Sequence, residues 1–223
     1  MEICFLILNE RTEFEQYKSL LSLVPAKNLE KINALKLDAA QKLRLFSDIF
    51  LRYVISKNLN IKNKDIGFSY NEYGKPSLVG YPQFHFNISH TRGAIAVAIS
   101  EEPVGVDVEK IGSVDTNIAR RFFTINEYNY IFNADDNKLQ NNRFYEIWTK
   151  KEAYMKWAGK GLSIPLNSFD VLAKNFEESF YTFNIEEYLI SVYTSHLDSQ
   201  KILTKMFDEK ICSEYLNDGS YQL

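Results

Sequence analysis

Residues 3–8 form a continuous apolar run, whereas Leu43, Phe46, Ile49, Phe50, Tyr53 and Val54 recur at three- and four-residue spacing. Short continuous runs predict buried strands, and the three/four spacing predicts a helix with one face in a core. The first hundred residues therefore read as a strand at the N-terminus, helices over residues 13–23 and from 27 to about 57, and a strand over 66–70. Asn71-Glu72-Tyr73-Gly74-Lys75-Pro76 supplies turn chemistry. Phe84, Phe86 and Ile88 then alternate with Gln83, His85 and Asn87, and Ser89-His90-Thr91-Arg92-Gly93 leads into the apolar run Ala94–Ile99. This predicts a hairpin whose second strand is buried on both faces.

Ser100-Glu101-Glu102-Pro103 interrupts the pattern, and a junction is expected there. Beyond it, Val104, Val106 and Val108 bracket Asp107 and Glu109 in a second buried strand. Side chains two apart on a strand share a face, so the two carboxylates point the same way. Helices are expected over 117–123, 126–131 and 143–157, with a polar loop over 133–142 and Gly159 and Gly161 ending the last helix. Strands follow over 169–172, 181–185 and 188–193. No period is legible after residue 195. Each half runs from strand through helices to antiparallel strands, which predicts an α+β protein of two similar lobes, 1–102 and 103–223, related by pseudo-two-fold symmetry.

Composition narrows the function classes. At 223 residues with 45% hydrophobic content, the chain can bury a sizeable core. Its net charge of −3 gives no global basic footprint, so no nucleic-acid partner is expected and any anion site must be local. Cys4 and Cys212 lack metal-ligand spacing and read as reduced thiols, which suits the cytoplasm. The N-terminus lacks the basic start of a signal peptide, and no apolar run approaches membrane-spanning length, so no membrane association is expected.

The candidate chemistry lies in Val104-Gly105-Val106-Asp107-Val108-Glu109 and in Trp148-Thr149-Lys150-Lys151-Glu152-Ala153-Tyr154-Met155-Lys156. On a helix Phe144, Trp148, Glu152 and Lys156 follow one another at four-residue spacing on one face. Asp107, Glu109 and Glu152 are the hard-oxygen ligands that Mg²⁺ takes alongside substrate phosphates. Each part taken alone has a plainer reading, as solvent-facing acids of an edge strand and a helix-surface pair worth about 0.3–0.5 kcal/mol. Ser89 and His90 are donors fit for a phosphate. Lys27, Lys31, Lys42 and Arg44 form a basic cluster, and Lys75 sits in the Gly-Pro turn. No Gly-rich phosphate cradle, zinc spacing or nucleophile elbow is present.

These segments resemble the 4′-phosphopantetheinyl transferases, specifically the surfactin-type branch. The resemblance rests on Val104-Gly105-Val106-Asp107, on Glu152 following Asp107 by 45 positions, and on Trp148, Lys151, Glu152, Ala153 and Lys156. Glu72–Pro76, Phe86–His90, Arg121-Phe122-Phe123 and Gly159-Lys160-Gly161-Leu162 extend it over roughly residues 27–169. It implies transfer of the phosphopantetheine arm of coenzyme A to a serine of an acyl or peptidyl carrier protein, in polyketide, nonribosomal-peptide or fatty-acid assembly. It also implies a monomer with coenzyme A in the cleft between its lobes.

By the same resemblance, Asp107, Glu109 and Glu152 hold Mg²⁺, with Mn²⁺ the alternative ion, Lys156 stabilises the phosphates, and Glu152 is the general base. Lys27, Lys31 and an arginine hold the 3′-phosphate. Tyr73, Gly74 and Lys75 border the adenine, while Ser89 and His90 contact phosphates. The family's arginine position falls on Leu43, which leaves Arg44 and Lys42 as alternatives. The carrier protein is expected near residues 116–130. Two competing functions are a non-catalytic coenzyme A or carrier-binding module and a magnesium-dependent nucleotide hydrolase.

Overall fold

The computed structural model describes residues 1–211, except the side chains of residues 162, 175, 177 and 199; Cys212 lies outside the described residues. In chain order the first elements are β1 (Glu2–Ile7), α1 (Ala26–Asn33), α2 (Asp38–Leu59), β2 (Phe68–Tyr70), β3 (Pro76–Leu78), β4 (His85–Thr91) and β5 (Ala94–Ser100). They continue with β6 (Val104–Lys110), α3 (Thr116–Phe122), α4 (Ile125–Phe132), α5 (Asn137–Ala158), α6 (Lys174–Glu177), β7 (Phe180–Ile185), β8 (Tyr188–Thr194) and β9 (Leu203–Phe207). This is the mixed α+β class expected from the hydropathy pattern.

A four-stranded sheet has the order β4-β5-β1-β9, and a three-stranded sheet has the order β6-β8-β7. Along β5 the residues alternate between two jobs. Ile95, Val97 and Ile99 join Cys4, Leu6 and the α2 residues Phe46, Ile49 and Phe50 in one core. Ala94, Ala96 and Ala98 join Ile3, Phe5, Val104, Val106, Val108, Ile190 and Val192 in a second core between the sheets. The small alanines let the second sheet approach closely. Burial pushes the Cys4 thiol pKa upward, consistent with an inert reduced thiol.

Helix α5 packs on the opposite face of β6 through a third core that includes Phe144, Ile147 and Ala153. Gly105 makes the approach feasible. A Cβ there would lie 2.0 Å from the Ala153 carbonyl oxygen and 2.4 Å from the Trp157 nitrogen. Gly159 ends the helix in the left-handed conformation, φ 64°, as its position predicts.

Several elements differ from expectation. Residues 14–23 wind as 3₁₀ turns. Phe14, Tyr17, Leu20 and Leu23 recur every third residue, which matches a three-residue turn better than an α-helix. Helix α5 begins at Asn137, inside the expected loop, because Asp136 caps it by accepting from the Leu139 amide at 2.8 Å. Residues 169–172 form no strand: the Val171 amide donates to Glu127 Oε1 at 2.9 Å and the Leu172 amide to Asp170 Oδ1 at 2.9 Å. Finally β9, invisible to periodicity, pairs in parallel with β1.

Candidate active site

Strand β4 sends Asn87, Ser89 and Thr91 to the face that also carries Ala98, Ala96 and Ala94, their cross-strand partners. That face meets the free edge of β6. Asn87 Oδ1 accepts from the Val106 amide at 3.0 Å, and Ser89 Oγ accepts from the Val108 amide at 3.4 Å. The edge of β6 is therefore satisfied by side chains rather than by another strand.

Asp107 and Glu109 project from β6 beside α5, which contributes Trp148, Glu152 and Lys156 one turn apart. These five residues, with Ser89, His90 and Arg44, line a cavity of about 590 Å³. Lys156 Nζ donates to Asp107 Oδ1 at 2.7 Å and to Ser89 Oγ at 2.6 Å, and Ser89 donates to the same carboxylate oxygen at 2.8 Å. The other oxygen, Asp107 Oδ2, is buried without a hydrogen-bond partner among the described residues. Thr91 Oγ1 donates to Glu109 Oε2 at 2.9 Å.

Burial, followed by the negative charge of Asp107, raises the pKa values of both Glu109 and Glu152. Asp107, Glu109 and Glu152 thus face one cavity with the Lys156 ammonium among them, and Asp48, ion-paired with Arg52, lines it as well. Among the described residues no three His, Cys, Asp or Glu side chains are drawn into metal-ligand geometry. Loss of hydration at the cavity wall, then the Lys156 and Arg44 charges, lowers the His90 pKa.

The remaining candidates divide by position. Tyr73, Gly74 and Lys75 line an adjoining cavity of about 300 Å³ that shares Glu152 and Lys156 with the first. Lys75 Nζ donates to the Trp157 carbonyl at 2.9 Å and the Val104 carbonyl at 3.4 Å, capping the C-terminal end of α5. Burial brings its pKa down to about 8. Lys42 is buried, bonded to the Asn9 carbonyl at 2.7 Å and paired with Glu209 at 2.6 Å, whereas Arg44 opens onto the main cavity. Lys27 and Lys31 are exposed on α1 and belong to neither cavity lining.

Lys151, a motif residue without an assigned task, is wholly buried and pairs with equally buried Glu127 at 2.8 Å. It also donates to the Leu166 and Phe169 carbonyls at 2.6 and 2.7 Å. Glu127 completes a capping box with Thr124 at the start of α4. Lys151 is thus a fastening between α5, α4 and the 166–171 segment. Sequence reasoning also missed Asn87 and Thr91, whose signal was the polar alternation continuing along β4 opposite alanines.

A cleft with clustered carboxylates, the Lys156 ammonium and the Arg44 guanidinium is suited to charged phosphate chemistry. Comparison with known proteins gives the class. Residues 103–212 match the 4′-phosphopantetheinyl transferase superfamily, and residues 11–102 match the family described as 4′-phosphopantetheinyl transferase, N-terminal. The chain is 37% identical over 171 residues to the 4′-phosphopantetheinyl transferase ffp of Bacillus subtilis, covering 77% of this chain and 76% of that one. It is 35% identical, with the same coverage, to the transferase Sfp of Bacillus subtilis strain 168. To the transferase gsp of Aneurinibacillus migulanus it is 40% identical over 153 residues, 69% of this chain and 63% of that one. The chain belongs to the 4′-phosphopantetheinyl transferase superfamily, in its surfactin-type branch, and is an enzyme of carrier-protein modification.

Proposed function

We propose that this enzyme moves the 4′-phosphopantetheine arm of coenzyme A onto a serine hydroxyl of an apo acyl or peptidyl carrier protein, releasing adenosine 3′,5′-bisphosphate, at the cavity between β4, β6 and α5. The observation that carries this reading is the convergence of Asp107, Glu109, Glu152 and Lys156 on one cavity that Arg44 and His90 also line. Asp107 Oδ2, buried and unpartnered, and two further carboxylates of raised pKa form a donor set suited to a hard divalent cation. Asp107, Glu109 and Glu152 would hold Mg²⁺, or Mn²⁺ in its place. Bound there, the ion supplies neutralisation of charge on the coenzyme A pyrophosphate.

The protein's own groups do the rest. Lys156, held by Asp107 and Ser89 at the cavity wall, offers its remaining donor to a phosphate oxygen. Glu152, with its raised pKa, takes the proton of the carrier serine. The serine oxygen bonds to the phosphorus next to pantetheine while the bond to the bridging oxygen breaks, and the electron pair leaves with the adenosine bisphosphate. Arg44 and His90 are suited to the other phosphate oxygens, with Lys27 and Lys31 outside the cavity as attractors of the 3′-phosphate. Tyr73, Gly74 and Lys75, lining the adjoining cavity, border the adenine, with Lys75 doing so through its stem.

We read the chain as two α+β lobes that divide near residues 100–103, with β9 returning to the sheet of the first lobe and coenzyme A in the cleft between them. Support comes from one long helix backing each main sheet, α2 against the first and α5 against the second. The carrier protein approaches residues 116–130, where Ile125 is 75% exposed and Arg120 and Arg121 are exposed, although Phe123 belongs to the core. No helix among the described residues is long and apolar enough to cross a membrane. The net charge of −3 suits a protein that binds no nucleic acid, and the buried Cys4 thiol suits the cytoplasm; by the family resemblance the enzyme acts as a monomer without a membrane partner.

Intact-mass spectrometry of apo carrier proteins incubated with coenzyme A, Mg²⁺ and the enzyme tests the reading. The expected result is a gain of one phosphopantetheine arm that a chelator abolishes. Coenzyme A hydrolysed without any carrier gain would overturn it.

A further inference from the structure

Two of the three polar side chains on the inner face of β4 serve the backbone of β6, but the third does not. Asn87 accepts from the Val106 amide, and Ser89 accepts from the Val108 amide while donating to Asp107. Thr91, at the end of the strand, donates its hydroxyl to the Glu109 carboxylate. The spacing is regular: Ser89 meets Asp107 and Thr91 meets Glu109, each eighteen positions on. Two consecutive acids on one strand each receive one hydroxyl from a strand of the other sheet.

We propose that Thr91 is a positioning residue that holds Glu109 Oε2 so that the remaining carboxylate oxygen is presented to the cavity beside Asp107 and Glu152. The inference rests on the reading of these acids as the metal seat. Its physical basis is rotamer restriction. A glutamate side chain has several freely rotating bonds, and a metal that recruits it must bear the cost of ordering it. A threonine has a stiff χ1, so its hydroxyl is a fixed donor. Thr91 is also pinned at the mouth of the β4–β5 hairpin, where it pairs across the strands with fully buried Ala94. On the far side Trp148 of α5 lines the same cavity as Glu109. The carboxylate is therefore held by Thr91 before any ligand arrives. Partners of this kind around ligating carboxylates tune metal affinity.

The consequence is that a residue of the first sheet sets the geometry of an acid on the second. Closure of the β4–β6 seam and assembly of the acid cluster become one event.

The test uses the full-length enzyme and its Thr91→Val, Thr91→Ser and Glu109→Gln variants. Mn²⁺ binding is followed by electron paramagnetic resonance in the presence of adenosine 3′,5′-bisphosphate, and thermal midpoints are recorded alongside. Thr91→Val keeps the branched shape and removes the donor. It is expected to weaken Mn²⁺ binding roughly tenfold, with Thr91→Ser restoring it. In transfer assays the half-saturating Mg²⁺ concentration rises for Thr91→Val, while turnover largely recovers at saturating Mg²⁺. Unchanged Mn²⁺ binding in Thr91→Val, with binding weakened in Glu109→Gln, would overturn the role of Thr91 and leave the metal seat standing. Equal losses in the valine and serine variants would overturn it too, since shape and not the hydroxyl would then matter. Wild-type binding in Glu109→Gln would remove Glu109 from the metal seat itself.

Discussion

Asp107 illustrates how one side chain can be half committed. Its Oδ1 is bound by Lys156 and Ser89, while Oδ2 is buried and has no hydrogen-bond partner among the described residues. A buried carboxylate oxygen with no partner is costly unless a ligand completes it. Asp107→Asn and Glu152→Gln should each lower turnover by orders of magnitude with little change in the thermal midpoint; near-wild-type rates in either purified variant would refute their roles. His90 supplies a pH signature. Its pKa is lowered in the free protein by lost hydration and by Lys156 and Arg44, so the ring is neutral near pH 7. Phosphates bound at the same wall would raise that pKa, so the bound state would hold more protons than the free state. Coenzyme A affinity should therefore strengthen as the pH falls from about 8 to 6, and be lost again as the pH rises through the bound-state pKa. Titration calorimetry on wild type and His90→Asn would show the steeper dependence only in the wild type.

At the scale of elements, the strand–helix contact between β6 and α5 fixes the distance between the two motif halves. Gly105→Ala would drive a methyl group into the Ala153 carbonyl and the Trp157 backbone, neither of which can rotate away. The expected cost is at least about 1–3 kcal/mol, read as a lower urea midpoint, together with a loss of transfer activity as Asp107 is pushed off Lys156. An unchanged midpoint would mean that the helix can slide. The Lys151–Glu127 pair fastens the same helix from behind. Lys151→Met leaves a wholly buried glutamate uncompensated and should cost about 3–5 kcal/mol. The Lys151→Met/Glu127→Gln double variant should recover part of that loss, which chemical denaturation of all three proteins would show.

For the whole molecule the decisive strand is β9. It runs parallel to β1 on the outer side of the first sheet, and just beyond it Glu209 pairs with buried Lys42 and accepts from the Asn9 amide at 2.7 Å. The chain after the second sheet thus returns to complete the first. A chain ending at residue 195 should lose this cover, expose the β1 edge and leave Lys42 without its carboxylate. The expected outcome is a marked fall in thermal midpoint and a tendency to aggregate, measurable by calorimetry and gel filtration. Equal stability of the shortened chain would show that the first sheet does not depend on β9.

What the sequence determined by itself is local in character. Strand periodicity aligned Asp107 with Glu109, helical periodicity aligned Trp148, Glu152 and Lys156, and the Gly74 and Gly159 signals marked turn and helix end. These features follow from backbone geometry over a few residues, and the site's acids were legible for that reason. The tertiary structure decided everything that depends on distant partners. It set Lys42 inward and Arg44 onto the cavity, although they stand two apart in one helix. It turned Lys75 into a helix cap and Lys151 into a fastening, and it drew residues 169–172 out of any strand by offering Glu127 to the Val171 amide. It gave Thr91 a carboxylate to hold, and it brought β9 back to β1. A charged side chain in the sequence carries its charge with it, but not the burial, neighbours and desolvation that determine whether it binds a ligand or ties the fold together.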